Sequence, residues 1–468
     1  MGRLKSKVTL VSEYAYLGGS HAAVFLNDSS EMVGDSNTPS ELITPKGRKE
    51  AIEFAQRGKS NKLPVEVMEK VYANVTVGSN ADFNAKMAYG AGVMVVKKKR
   101  NSETGEIEIQ ELLESEAPEV FEFLNENNFI YATQEWANDL SVFADSYAEF
   151  IFNDTTNKIV SLRSVESINS RVSIADENDG KIKYHGYSTK WHEGSVGGDD
   201  VEVSPLIDKQ IPILDIKRRR GLAFDVKEKD KKKEKENRYV LQLMLPTPGR
   251  YYYGKPYWWS IFTSKWYDFS CAIPEFKTAL LKNQMVLKYH VKINGGFWDR
   301  LYKAEGIVDE VKKVAHKKEF LRQMDEFLAG EKNAGKSFVS HFNYDKLKGF
   351  EEHEIIITPV ESFFKGGEYI DDSEEVTNII CYAMGVHPSI VGASPGKGKS
   401  INGTEARELF IIKQAMMKPI RDLFVLPLYV VKAINGWDPD IHFVIPNIML
   451  TTLDKGTGQI KSVGNEEI

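Results

Sequence analysis

Ile379-Ile380-Cys381-Tyr382-Ala383-Met384-Gly385-Val386-His387-Pro388 opens the stretch, running to Trp437, whose reading decides the fold. It is an apolar helical run that stops at a glycine, the residue that accepts the left-handed backbone at a helix C-terminus, with proline three positions on. Ile390-Val391-Gly392 follows, then the polar loop Ala393-Ser394-Pro395-Gly396-Lys397-Gly398-Lys399-Ser400. Asn402, with Glu405 three residues later, opens a second helix. In it Leu409, Phe410, Met416, Met417, Ile420, Leu423 and Phe424 recur at spacings of three and four. Pro419 and Pro427 each remove a backbone donor, so this helix is expected in segments.

The loop from Ala393 to Ser400 also satisfies a loose phosphate-loop pattern, with alanine in place of the first glycine. A working phosphate loop needs a buried strand before it, a helix beginning at its Lys-Ser, and a second strand ending in a metal-binding acid. Val386 to Val391 is too short and too proline-broken for the strand, and the helix starts only at Asn402. The apolar run Leu423 to Val431 ends in Lys432 and not in an acid. The residues favour a glycine-lysine loop over a nucleotide site.

Outward from this stretch, 468 residues suffice for a large core and more than one module. A 42% hydrophobic and 27% charged composition is that of a globular protein, and the longest apolar run is half of what a bilayer crossing needs. Cys271 and Cys381, both among apolar or aromatic neighbours, read as core fillers, and such sparse cysteine fits a reducing compartment. The nine histidines form no metal-ligand spacing and no Ser-His-Asp set is legible, so neither a metal, a cofactor nor a catalytic residue is assigned. A net charge of −6 argues against tight neutralisation of duplex phosphates.

In the first third, Val93 to Lys98 and Glu106 to Ile109 read as a hairpin. Pro118 to Leu124 and Gln134 to Ala144 read as helices, and Tyr147 to Phe152 with Ile159 to Leu162 as a second hairpin. Arg218 to Arg238, charged and without an apolar stripe, is expected as an exposed loop, and Lys217-Arg218-Arg219-Arg220 as a solvated face. Tyr251-Tyr252-Tyr253-Gly254-Lys255-Pro256-Tyr257-Trp258-Trp259 leads into a helix with Trp258, Phe262, Trp266 and Phe269 at helical intervals, kinked or restarted at Pro274. Lys288 to Ile293 alternates as a half-buried strand, Asn294-Gly295-Gly296 turns, and a charged helix runs from about Val308 to Leu328. Glu354 to Thr358 is a buried strand, and Asp372 with Glu375 looks like a helix N-cap after Phe363-Phe364-Lys365-Gly366-Gly367. Asp440 to Pro446 makes a last strand.

This order resembles the bacteriophage portal protein family, the head-to-tail connectors of tailed phages. The likeness is carried by Tyr251 to Trp259 as the entry to a first long helix. It is carried further by Gly385 to Pro388, Ile390 to Gly392, the glycine loop, Asn402 to Glu405 and Met417-Lys418-Pro419. The resemblance implies an α+β portal fold: a mixed α/β wing, a helical stem, a small β-containing clip and a helical C-terminal region, in a ring oligomer. On that pattern residues 1–255 are the N-terminal arm and wing, 256–287 the first stem helix and 288–306 the clip. Residues 307–332 are the second stem helix, 333–360 return strands of the wing, 361–392 the tunnel loop and helix, and 393–468 the C-terminal wing with a minimal crown.

The resemblance further implies a non-enzymatic dodecamer at one capsid vertex of the virion, assembled in the bacterial cytoplasm, through which double-stranded DNA is packaged and ejected. The implied partners are other copies of the chain, the terminase large subunit, the major capsid or scaffold protein and a tail adaptor, with no membrane. Phe363, Phe364, Lys365, Gly366, Gly367, Glu368, Asp371 and Asp372 would lie nearest the DNA. Lys288, His290, Lys292, Phe297, Trp298 and Arg300 would form the clip's docking surface. Carboxylates along such a channel repel phosphate and keep a duplex centred. A phosphate-loop ATPase of the packaging machinery and another ring-forming tail or baseplate protein are the alternatives.

Overall fold

The structure, a computed structural model, describes residues 8–11, 14–17, 22–25, 40–46, 48, 50–58, 60–100, 107–193, 196–224, 236–284, 289–329, 342–345, 350–359, 368–391 and 403–448. The chain forms two compact units, one from Met1–Ser270 with Asp372–Ile468, the other Cys271–Asp371.

The elements run β1 (Val8–Val11), β2 (Tyr14–Leu17), β3 (Ala22–Phe25), β4 (Ser40–Ile43), β5 (Ile52–Ala55), α1 (Leu63–Ala73), α2 (Val75–Tyr89), β6 (Met94–Arg100), β7 (Ile107–Glu111), α3 (Pro118–Glu126) and α4 (Phe129–Phe143). Then come β8 (Asp145–Asn153), β9 (Lys158–Val165), β10 (Ser170–Val172), β11 (Tyr184–Tyr187), β12 (Glu202–Ile207), α5 (Pro212–Arg219), β13 (Arg238–Met244), α6 (Ser260–Thr263) and α7 (Trp266–Gln284). Next are β14 (Tyr289–Ile293), α8 (Gly295–Ala304), α9 (Glu310–Ala329), β15 (Phe342–Asp345), β16 (Phe350–His353) and β17 (Ile355–Pro359). Last come α10 (Glu368–Ala383), α11 (Pro388–Val391), α12 (Gly403–Met416), α13 (Lys418–Asn435) and β18 (Ile441–Val444).

The first unit is built on a six-stranded sheet ordered β10-β11-β12-β13-β8-β9, antiparallel except for the parallel pair β12 and β13. Helix α4 shows why its sequence folds this way. Phe129, Ala132, Thr133, Trp136, Ala137, Leu140 and Phe143 fall at three- and four-residue spacing and are all buried. Trp136 is fully buried, and its indole donates to the Tyr147 carbonyl at 3.0 Å, so the helix is hydrogen-bonded as well as packed onto β8. From the other end of the chain, Phe424, Leu428 and Val431 of α13 enter the same core. Strand β18 pairs antiparallel with β6, Val444 opposite Met94. The two hairpins expected from the sequence are β6 with β7 and β8 with β9.

Edge strand β9 is covered in an uncommon manner. Asn435 accepts from Ile159 N at 2.8 Å and donates to Ile159 O at 2.9 Å, and Asn127 accepts from Leu162 N at 2.9 Å. Two side-chain amides thus replace a neighbouring strand and leave little for a foreign strand to pair with.

The first unit also holds a charged cluster that the sequence does not announce. Arg57 and Asp145 are buried and 2.9 Å apart. Arg57 also donates to the Ser167 carbonyl at 2.9 Å, and Ser167 Oγ donates to Asp145 at 2.6 Å. Tyr253 stacks 4.8 Å from the guanidinium, while its hydroxyl donates to Ala55 O and accepts from Val172 N at 3.1 Å. Arg171 donates to the Asn61 carbonyl at 2.9 Å. Asp139 accepts from Ser167 N at 2.8 Å, yet burial pushes its carboxyl up to about 7.

The aromatic run before the first long helix is an anchor. Trp258 donates to Ser141 O and Trp259 to Val142 O, each at 3.0 Å, so both indoles grip the last turn of α4. Gly254 passes against Ala144, where an added Cβ would stand 2.5 Å from the carbonyl oxygen. The expected single helix from this point is therefore divided. Tyr257–Trp259 is a 3-10 turn followed by α6, Lys265 takes φ +69°, and only then does α7 begin. The indole bonds dictate the backbone there, and Phe269, placed on the expected buried stripe, is 41% exposed.

Two further corrections concern proline and arginine. The C-terminal helix breaks at Met417, with Pro419 in the first turn of α13, but α13 runs unbroken through Pro427. An interior proline costs about 3 kcal/mol. Phe424, Leu428, Val430 and Val431 are fully buried around it, and each contributes roughly 1.5–3 kcal/mol, so packing prevails. Arg220, expected on a solvated face, is 1% exposed: it donates to Asn157 at 2.7 Å and to Glu236 O at 2.9 Å, and lies 4.3 Å over Phe152.

In the second unit, β14 pairs antiparallel with β17 and β15 with β16. Glu354 to Thr358, expected as a buried strand of the wing, is β17: Ile355 is buried, Ile356 is exposed, and the partner is β14.

Two outcomes are expected. Gly254→Ala lowers the melting temperature of the first unit by the equivalent of about 1–3 kcal/mol, because rigid backbone meets the new methyl; calorimetry checks it. Folded Asp139 binds its proton more tightly than the unfolded chain does, so between about pH 4 and pH 7 the folded state holds the extra proton and stability falls as pH rises. Asp139→Asn flattens that slope in denaturant titrations and is the more stable protein at pH 8.

Candidate functional site

Of the residues expected nearest DNA, Phe363, Phe364, Lys365, Gly366 and Gly367 lie outside the described residues. Glu368 is the first residue of α10, Asp371 is exposed and Asp372 half-buried. Asp372 is thus not an N-cap: the helix begins four residues earlier. Asp371 follows in the first turn, where a carboxylate is favoured by the positive end of the helix dipole.

The other end of α10 follows the sequence reading. Gly385 takes φ +63°, Gly385 N donates to Tyr382 O at 3.0 Å and Val386 N to Cys381 O at 2.9 Å, the paired bonds of a glycine-terminated helix. Val386 and Cys381 are both buried, which adds the apolar contact that such an end carries. His387 is exposed and Pro388 starts α11, where the Ile390-Val391-Gly392 element begins. The Ala393 to Ser400 loop lies outside the described residues, but the described segment before it is the helix α11, not a strand.

The expected docking residues fall on two elements of the second unit. Lys288 lies outside the described residues; His290 and Lys292 are exposed on β14, one strand period apart on one face. Phe297, Trp298 and Arg300 are on α8, which begins at Gly295 inside the expected turn Asn294-Gly295-Gly296. Asn294 accepts from Gly296 N at 2.9 Å and so caps that helix.

The two aromatic residues are half-buried and face inward. Phe297 and Trp298 lie 5.4 and 5.5 Å from Phe320 of α9, Trp298 stacks 6.2 Å from Tyr302, and Lys317 Nζ sits 5.0 Å over Trp298. Arg300 pairs with Glu354 at 3.2 Å, which joins α8 to the entry of β17. The structure therefore brings His290, Lys292 and Arg300 to the outside and uses Phe297 and Trp298 to hold α8 on α9. Sequence reasoning missed α8 because Gly295-Gly296 reads as a turn, and only the Asn294 cap pointed to a helix.

The architecture is that of particle-neck chains. The chain is similar to one in the virion of the native gene transfer agent (GTA) particle, with 14% identity, a TM-score of 0.51 and coverage of 81% of this chain and 83% of that one. It is similar to a chain in the neck of the empty GTA particle computed with C6 symmetry, with 14% identity, a TM-score of 0.51 and coverage of 84% and 85%. A chain in the neck of the native GTA particle computed with C12 symmetry gives 13% identity, a TM-score of 0.50 and the same 84% and 85%. No protein-family model and no curated protein sequence matches the chain significantly. At these identities the likeness is one of fold, and at that level the portal resemblance read from the sequence holds. Among the described residues no helix is long and apolar enough to cross a membrane, and no cluster of metal-ligating side chains occurs.

The division between outward and inward residues is testable. Trp298→Ala lowers the stability of the second unit by about 1–3 kcal/mol in thermal melts, because its half-buried ring shares with Phe297 the contact between α8 and α9. Lys292→Glu, on the exposed strand face, stays within about 0.5 kcal/mol of the parent.

Proposed function

We propose that the chain is a phage portal protein. Twelve copies form a ring at one capsid vertex of a virion, with a central channel through which double-stranded DNA is packaged and ejected. The observation that carries this reading is the fold shared, over four-fifths of both chains, with neck chains in particles solved with twelvefold and sixfold symmetry. The acidic balance of −6 supports a conduit that does not hold its cargo, since few phosphates would be neutralised.

The role is a structural one, without catalysis. In this reading α10 is the helix behind the channel loop, with Glu368, Asp371 and Asp372 at its channel end. The exposed His290, Lys292 and Arg300 are charged or titratable side chains suited to the terminase large subunit and later a tail adaptor. The wing meets the major capsid or scaffold protein, and neighbouring copies bury interfaces on the order of 2,000 Å². A nucleotide-binding motor is the weaker reading, because a helix stands where a phosphate loop needs its strand.

Electron microscopy of the purified chain, viewed end-on, tests the proposal. Rings of about twelve subunits around an opening wide enough for a duplex, roughly 20 Å, are expected. Compact monomers, or hexamers whose nucleotide binding disappears in Lys399→Ala, would overturn it.

A further inference from the structure

Three side chains from two helices close on the C-terminal end of α10. Asn84 of α2 donates to Met384 O at 3.0 Å and Asn80 of α2 to Cys381 Sγ at 3.3 Å, while Lys413 of α12 donates from Nζ to Gly385 O at 2.8 Å. Lys413 is 6% exposed, and among the described residues that carbonyl is its one acceptor, with no carboxylate in ion-pair reach.

The neighbouring titratable groups offer no counter-charge. On α10 the Cys381 thiol is pushed up by burial and stays neutral. On α13 Arg421 is engaged with Met87 O, Ala88 O and Asn447. On α2 Asp82 and Lys86 are exposed and pair with each other at 2.6 Å. His387 beside α11 and Glu405 and Glu408 on α12 are exposed.

An ammonium presents three donors and a full charge, so a largely buried side chain with one carbonyl acceptor leaves it under-satisfied by the protein. The neutral amine keeps a donor for Gly385 and loses the charge. We infer that Lys413 is a proton-operated latch on α10: its neutral amine seats the helix end against α2 and α12, and its protonation favours release of that end toward water. Burial lowers Lys413 to about 8, against an ordinary value of 10.5, which agrees in sign. The opened side chain binds its proton more tightly than the seated one, so opening is favoured below about pH 8 and suppressed as pH rises from there toward 10.5. The latch does not depend on α10 facing DNA.

Hydrogen exchange on the full chain tests it. Protection is corrected for intrinsic rates, with peptides spanning 380–388 compared to peptides spanning 86–92, where Arg421 caps α2 and does not titrate. Protection in 380–388 is expected to rise about tenfold from about pH 7 to pH 9 while 86–92 stays level. The rise should vanish in Lys413→Met and persist in Cys381→Ser. A flat or falling wild-type profile, a rise that survives in Lys413→Met, or one lost in Cys381→Ser would overturn the latch. The wild-type profile decides alone should either variant not fold.

Discussion

The buried pair of Arg57 and Asp145 is the contact on which the first unit depends, because four separate parts of the chain end on it. Arg57 lies between β5 and α1, Asp145 begins β8, Ser167 leads into β10, and Tyr253 belongs to the segment that leaves the sheet for α6. Two charges taken out of water need further hydrogen bonds: Ser167 supplies both a hydroxyl and a carbonyl, its hydroxyl sharing Asp145 Oδ1 with Arg57, while Asp145 Oδ2 has no partner among the described residues. Removing one partner of such a pair costs on the order of 3–5 kcal/mol, so drift at any of these positions is constrained by the others. Tyr253 carries that constraint onward to Gly254 and to the two indoles that hold α4.

A second recurring device is a basic side chain placed on main-chain carbonyls at the ends of elements. Arg421 covers Met87 and Ala88 at the end of α2, Lys413 covers Gly385 after α10, and Lys432 bonds to the Pro439 carbonyl before β18 and the Ile441 carbonyl at its start. At the end of α2 the last carbonyls lack internal partners and carry the negative end of the helix dipole, so the Arg421 guanidinium satisfies both needs, whereas Lys413 supplies its carbonyl with a donor. All three cations come from α12 and α13. Through Arg421, in company with the β18 and β6 pairing, the C-terminal segment brackets elements hundreds of residues earlier in the chain.

Much of this could be read residue by residue. The Gly385 helix end, both hairpins and the division at Met417 follow from local chemistry: which residues tolerate left-handed backbone, which lack a donor, which alternate with period two, whereas the expected cap at Asp372 and break at Pro427 did not hold. The same local rules missed α8, since two glycines outweigh one capping asparagine when neighbours are unknown. They placed Arg220 in solvent, since a run of four basic residues has no sequence mark for the one that turns inward onto Phe152. The expected docking set divided likewise: His290, Lys292 and Arg300 are outside, while Phe297 and Trp298 pack on Phe320, a partner over twenty residues away.

What the sequence by itself determined is therefore the order of elements and, through that order, the kind of fold, because periodicity, caps and glycine positions act within a turn or two of the chain. What only the tertiary structure decided is which polar side chains are buried together. Arg57 with Asp145, Asn435 on the edge of β9, and Lys413 on Gly385 are separated by dozens to hundreds of residues. Their pairing answers to desolvation, which depends on what the folded chain brings alongside and leaves no trace in local spacing.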